Sequence, residues 1–122
     1  MRTVLVVEDE WVIAEVLAAT LTDAGYRVLT AANGRQGLAR LAEVRPDVIL
    51  LDTMMPILDG PGMLAALAAD PIHRHIPVIM MSSLSETAVA RLAQGYRAFL
   101  GKPFLGPELL RAIERVLEGQ EA

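Results

Sequence analysis

Acidic residues stand at the ends of two strongly apolar segments of this 122-residue chain. Glu8, Asp9 and Glu10 follow residues 4–7, and Asp52 follows residues 48–51. Carboxylates can hold a divalent cation, and a carboxylate can also act as a nucleophile that carries a phosphoryl group. A single acid after a strand is more often a helix cap or a solvated loop residue. The chemistry therefore depends on whether the fold brings these acids together.

Short β-like segments alternate with helical patterns along the chain. Strands are predicted at residues 3–7, 27–30, 47–51, 77–82 and 98–101. The first, third and fourth segments are almost uniformly apolar, which is typical of strands covered on both faces. The alternation predicts an α/β fold: a doubly wound, five-stranded parallel sheet with helices on both faces.

Helix boundaries are marked by glycine and proline. The first helix is predicted to end near Gly25, the second before Pro46, while the third begins near Pro61 and the fifth near Pro107. The interval from residue 82 to residue 95 leaves room for little more than two turns, with Ser85 as a plausible N-cap. The fourth helix is therefore predicted to be short or irregular.

The carboxyl ends of parallel strands meet at one edge of the sheet, where ligands bind in such folds. Glu8, Asp9, Asp52, Ser82 and Lys102 all stand at predicted strand ends. Three neighbouring carboxylates repel one another unless a cation neutralises them, and all-oxygen ligands favour Mg²⁺. Asp52 is the best-placed nucleophile for a phosphoryl group, with the metal and Lys102 balancing the developing charge.

Four segments resemble the signature regions of the receiver domain of bacterial two-component response regulators. They are residues 6–10 (VVEDE), 50–60 (LLDTMMPILDG), 77–83 (PVIMMSS) and 102–104 (KPF). The resemblance covers nearly the whole chain. Within this family, the chain is similar to single-domain regulators of the chemotaxis type. It implies one receiver domain over residues 1–122 and the flavodoxin-like strand order 2-1-3-4-5.

The resemblance also implies a phosphorylation site with a metal ion. Asp52 would accept a phosphoryl group from a histidine kinase or a phosphotransfer protein. Glu8, Asp9, Asp52 and the backbone carbonyl of Met54 would hold Mg²⁺. The protein would catalyse only its own phosphoryl transfer and dephosphorylation, so it is not expected to be an enzyme acting on a separate substrate.

Further positions carry implied roles in signalling. Lys102, whose bond to Pro103 is often cis in the family, would pair with phosphoryl oxygens. Ser82 would bond to one of these oxygens after phosphorylation, with Ser83 as the alternative, and Phe99 would then change rotamer. This switch would alter the face made by helix 4, strand 5 and helix 5, which a downstream effector reads and through which a homodimer could form.

Two other functions remain open at this point. A phosphohydrolase that uses an aspartyl phosphate would carry a second acid two residues after its nucleophile, but Met54 stands there. A receiver-like module that works by protein contact without phosphorylation is the stronger alternative. Residues 94–99 (QGYRAF) depart from the small residues usual in the family, and Tyr96 and Arg97 could supply a partner-specific contact.

Composition excludes several classes of partner and site. The formal net charge is −4 and the basic residues are scattered in sequence, so direct binding to nucleic acid is not expected. No apolar run approaches the roughly 20 residues of a membrane span, which makes a cytoplasmic location the default expectation. The chain has no cysteine, which excludes disulfides and thiolate metal sites.

Overall fold

The computed structural model describes residues 1–121, which contain one parallel β-sheet. Its strands are β1 (Thr3–Val7), β2 (Arg27–Ala31), β3 (Val48–Asp52), β4 (Val78–Ser82) and β5 (Ala98–Gly101). They lie in the order β2-β1-β3-β4-β5, and every pair of neighbours is parallel. The predicted α/β class and the order 2-1-3-4-5 are thus confirmed.

Helices cover both faces of the sheet. They are α1 (Trp11–Asp23), α2 (Gly34–Arg40), α3 (Gly60–Ala68), α4 (Glu86–Leu92) and α5 (Gly106–Glu121). Leu5 and Val7 of β1 face a core shared with α2, α3 and α4, whereas Val4 and Val6 face a core shared with α1 and α5. Successive residues of a strand point to opposite faces, so a uniformly apolar strand supplies both cores.

The fourth helix is short, as the spacing predicted. It has seven residues, and among them only Val89 is buried. The Ser85 side chain accepts a hydrogen bond from the backbone N–H of Ala88 at 3.1 Å, which caps the helix as expected. Gly95, at φ +92°, adopts a left-handed conformation that glycine tolerates without strain. A single buried side chain leaves α4 weakly anchored to the sheet.

Strand boundaries differ from the sequence prediction by one residue at several ends. Asp47 lies outside β3, and its carboxylate accepts a hydrogen bond from the Thr3 backbone N–H at 2.7 Å. Pro77 lies outside β4, although its carbonyl still accepts from the backbone N–H of Ile49 at 3.0 Å. Asp52 is the last residue of β3 instead of the first residue after it. Hydrogen bonds to the neighbouring strand therefore fix the backbone of Asp52.

A helix that crosses a membrane must be long and apolar. Within residues 1–121, no helix combines the length and the apolar character that crossing a bilayer requires.

Candidate functional site

Three carboxylates meet at the carboxyl edge of the sheet. Strands β1 and β3 are neighbours, with Val7 opposite Leu51, so the residues beyond these positions come together. Oxygen atoms of Glu8, Asp9 and Asp52 all lie within 4.8 Å of one another. Glu8 and Asp52 are buried and Asp9 is exposed. This all-oxygen donor set fits Mg²⁺, which prefers a few carboxylates and leaves the remaining positions for water or phosphate.

Lys102 lies between the two buried acids. Its Nζ atom is 2.5 Å from Glu8 Oε1 and 2.9 Å from Asp52 Oδ1. The Glu8 side chain is 0% exposed, that of Asp52 is 9% exposed and that of Lys102 is 19% exposed. The Lys102–Pro103 bond is cis, as the resemblance implied. The ammonium group is therefore an internal cation that partly neutralises the acidic cluster.

Burial and charge together set the ionisation of this cluster. Burial raises the pKa of Glu8 more than the hydrogen bond from Lys102 lowers it, and the charge of Asp52 raises it further. Burial by itself would lower the pKa of Lys102, but its hydrogen bonds and ion pairs with Asp52 and Glu8 prevail and raise it. Lys102 therefore stays positively charged at neutral pH. One ammonium group among three carboxylates leaves an excess of acid that favours a further cation.

Lys102 also stands out in the sequence, where it is the only lysine in the chain. The other ten of the 11 lysine and arginine residues are all arginine. An ammonium group is a compact point charge with three rotatable donors, whereas guanidinium is a wide planar fork. A narrow position between two buried carboxylates suits the smaller group. This compositional signal was available in the sequence and supports the role predicted for Lys102.

The backbone that carries Asp52 is fixed by contacts that the sequence prediction missed. Thr53 is fully buried, and both its N–H and its hydroxyl donate to the Met81 carbonyl, at 3.0 and 2.9 Å. The Thr53 carbonyl accepts from the N–H of Gly60 at 3.0 Å. A Cβ atom at Gly60 would collide with the Asp52 carbonyl oxygen and lie 2.9 Å from the Thr53 Cα atom. The first turn of α3 thus packs directly against the backbone of Asp52.

The loop between β3 and α3 contains one strained residue. Asp59 caps α3 by accepting a hydrogen bond from Gly62 N–H at 2.8 Å. Ile57 has φ +69°, a left-handed conformation that β-branched residues rarely adopt. The Met54 side chain is exposed, and the metal-binding role of its backbone carbonyl stays a prediction.

Ser82 and Phe99 lie on the two strands at the β5 edge of the sheet. Ser82 is buried at the end of β4, and its hydroxyl accepts a hydrogen bond from Leu84 N–H at 3.0 Å. Phe99 lies opposite Met80 in the sheet and is partly buried against the core that includes Val89 of α4. Ser82 thus contacts the segment before α4, and Phe99 packs against the core to which α4 contributes Val89. Their switch roles stay predictions.

Fold and site together define a flavodoxin-like α/β domain with a carboxylate and lysine site at the carboxyl edge of its sheet. The family described as the response regulator receiver domain matches residues 4–114 of the chain. The chain belongs to this family, as its signature segments indicated.

Individual relatives agree with this assignment. The phosphate regulon transcriptional regulatory protein PhoB of Pseudomonas aeruginosa is 36% identical over 118 residues, which cover 95% of this chain and 52% of that protein. The chain spans about half the length of the curated relatives it matches.

Solved structures extend the comparison to geometry. The chemotaxis protein CheY4 of Vibrio cholerae superposes with a TM-score of 0.90 at 34% identity, over 95% of this chain and 98% of that one. The receiver domain of a sensor histidine kinase from Pseudomonas aeruginosa gives a TM-score of 0.87 at 33% identity, over 96% and 98%. That structure has a magnesium ion coordinated in its active-site cleft.

Proposed function

We propose that the chain is a phosphorylation-dependent signalling switch whose acceptor is Asp52. The observation that carries this proposal is a buried Asp52 carboxylate held 2.9 Å from the Lys102 ammonium group and beside two further acids. Membership of the receiver family supports the same function. The phosphoryl donor is a phosphohistidine of a sensor kinase or of a phosphotransfer protein.

The transfer forms an acyl phosphate on Asp52. A carboxylate oxygen attacks phosphorus, the phosphorus–nitrogen bond of phosphohistidine breaks, and the imidazole nitrogen keeps the electron pair. Lys102 already contacts an Asp52 oxygen, so its ammonium group can pair with the phosphoryl oxygens as negative charge moves onto them. Ser82 hydrogen-bonds to the same group after transfer. The protein thus turns over only its own phosphoryl group and is not an enzyme with a separate substrate.

Magnesium completes the site. Glu8, Asp9 and Asp52 would hold the ion together with the backbone carbonyl of Met54. When bound, Mg²⁺ neutralises charge on the transferring phosphoryl group. The chain's own residues position the acceptor: Thr53 and Gly60 fix the backbone on either side of it.

An exposed apolar surface lies next to the acceptor and supports docking of a donor protein there. Val12 and Val16 of α1 are 57% and 60% exposed. They line a cavity of about 390 Å³ together with Lys102, Pro103 and Phe104. A protein that brings phosphohistidine to Asp52 can bury this surface at the same time, which favours a protein donor.

Output follows from a shift between two conformations that already exist before phosphorylation. Inward movement of Ser82 would free space for Phe99, and its rotamer change would alter the face formed by α4, β5 and α5. The short α4, with one buried side chain, is the element of that face that can move at least cost.

The test is intact-mass spectrometry after incubation with acetyl phosphate and Mg²⁺. We expect one added phosphoryl group on the native protein, none on Asp52→Asn, and none when a chelator removes the metal. Asp23→Asn, an exposed acid at the far end of α1, is the matched control and should be labelled normally. Failure to label, combined with failure to bind Mg²⁺, would favour the module that acts by contact without phosphorylation.

A further inference from the structure

A group of arginine residues lies at the β5 edge of the sheet. This cationic edge consists of Arg97, which precedes β5, and of Arg111 and Arg115, which are one turn apart on α5. All three are exposed and line a cavity of about 430 Å³ between the strand and the helix. Apolar residues line the same cavity: Ala98, Leu100, Ala112 and Val116. The cavity thus combines a positive rim with an apolar lining.

Among the described side chains, no carboxylate neutralises the positive charges of this edge. Across the side chains described for residues 1–120, no ion pair joins any of the three guanidinium groups to a carboxylate. Glu108 is the one acid among the described residues that line the cavity, and it accepts a hydrogen bond from Leu105 N–H at 3.1 Å at the start of α5. Gln120, with its amide oxygen turned inward, accepts from Arg97 at 2.6 Å, but this partner is neutral.

This local charge is opposite to that of the chain as a whole. The chain has a formal net charge of −4, yet the described residues that line this cavity include three arginines and one acid, Glu108. A concentrated positive rim attracts an anionic partner and repels a basic one. A two-fold pairing of this surface with its own copy would bring arginine against arginine, which argues against a homodimer centred here.

We propose that the cationic edge binds an acidic segment of the downstream partner protein. Arg111 and Arg115 are separated by four positions, which places their Cβ atoms roughly 5–6 Å apart on the helix surface. The complementary segment therefore carries carboxylates about one helical turn apart, with an apolar side chain between them that enters the cavity. This inference rests on the proposed function for the identity of the partner, but the binding itself does not require Asp52.

Synthetic helical peptides provide the direct test. The probe carries glutamate at every fourth position, flanked by leucine and alanine. One control peptide replaces each glutamate with glutamine, and a second replaces it with lysine. Fluorescence anisotropy of the labelled peptides measures binding to the full chain, with and without acetyl phosphate and Mg²⁺. We expect the acidic peptide to bind more tightly than both controls, and its affinity to fall as salt rises from about 50 to about 300 mM.

Variants of the protein locate the binding site. The double substitution Arg111→Gln with Arg115→Gln should lower the affinity for the acidic peptide by about three- to tenfold. This is the range expected for the loss of two exposed charge pairs. Arg97→Gln should weaken it less, because Gln120 already engages that side chain. Arg35→Gln, an exposed arginine on α2, is the matched control and should bind like the native chain. Circular dichroism verifies that each variant is folded.

The inference is overturned if the acidic peptide binds no better than the glutamine peptide, or if the double variant binds it as well as the native chain. Phosphoryl labelling of Asp52 in the double variant separates this outcome from the proposed function, since neither arginine contacts the acceptor site. If Asp52 is labelled but the chain shows no preference for the acidic peptide, only the inference about the partner is refuted. If the chain binds the acidic peptide selectively but Asp52 is not labelled, only the proposal of phosphorylation is refuted.

Discussion

Replacement of Lys102 by methionine is the most informative single change at the acceptor site. Methionine preserves much of the apolar stem but removes the ammonium group that lies between Glu8 and Asp52. The two carboxylates then face each other in a region where the Glu8 side chain is 0% exposed and that of Asp52 is 9% exposed. We therefore expect Lys102→Met to fold with reduced stability at neutral pH when magnesium is absent.

The size of the effect follows from burial. Breaking a buried ion pair by removing one partner costs about 3–5 kcal/mol, because the remaining charge is left uncompensated. The Lys102 side chain is 19% exposed, so water can partly replace it and the lower end of that range applies. A loss of about 3 kcal/mol is a large share of the roughly 5–15 kcal/mol that stabilises a typical domain.

Magnesium and protons should each reverse this loss. A cation bound by Glu8, Asp9 and Asp52 adds about 2.7 kcal/mol when its concentration is one hundred times its Kd. Burial raises the pKa of Glu8 above its ordinary value. At a pH between the ordinary pKa and the raised pKa, the folded variant therefore binds more protons than the unfolded chain. Stability of Lys102→Met therefore rises as pH falls through the raised pKa, and the gain is complete at the ordinary pKa of Glu.

Urea unfolding, followed by circular dichroism, measures each free energy at neutral pH and at about pH 5.5, with Mg²⁺ or with chelator. Arg35→Met removes an exposed cation and should change stability little under all four conditions. The reasoning fails if Lys102→Met is as stable as the native chain in chelator at neutral pH. It also fails if Mg²⁺ and acid leave the variant's deficit unchanged, because the loss would then come from packing and not from charge.

Three further changes test other parts of the site. Ile57→Asn should raise the free energy of unfolding by about 1 kcal/mol in urea, because asparagine tolerates the left-handed conformation at φ +69°. Gly60→Ala should lower it by about 1–3 kcal/mol and slow labelling by acetyl phosphate, because the added Cβ collides with the Asp52 backbone. Glu8→Gln should weaken Mg²⁺ binding at least about tenfold, measured through the fluorescence of Trp11, while an unchanged affinity would exclude Glu8 as a ligand.

The sequence predicted those features that depend on local pattern. Apolar segments such as residues 48–51 indicated strands covered on both faces, and the acids that follow these segments indicated the functional edge of the sheet. The short spacing before Gly95 likewise predicted the short α4. These inferences succeed because strand period, helix caps and strand ends are each encoded within a few residues.

Features that depend on packing between distant segments could not be read in the same way. Arg97 is separated from Arg111 by a strand and a loop, so basic residues that are scattered in sequence come together only when α5 packs beside β5. The contact of Gly60 with Asp52 depends on the path of the intervening loop. The positive φ of Ile57 contradicts the preference of a β-branched residue, and a hydrogen bond from Leu58 N–H to the Pro56 carbonyl at 2.7 Å closes a tight turn around it.

The short strand β5 connects two sites of opposite charge. Arg97 of the cationic edge precedes its first residue and Lys102 of the acceptor site follows its last, so these two side chains lie at the two ends of a four-residue strand. An extended backbone of this length spans roughly 13 Å, because each strand residue spans about 3.3 Å. If phosphorylation changes the affinity for a partner at one end, thermodynamic reciprocity requires the partner to change the phosphorylation equilibrium at the other by the same factor. The partner would then be a regulator of the switch as well as its reader.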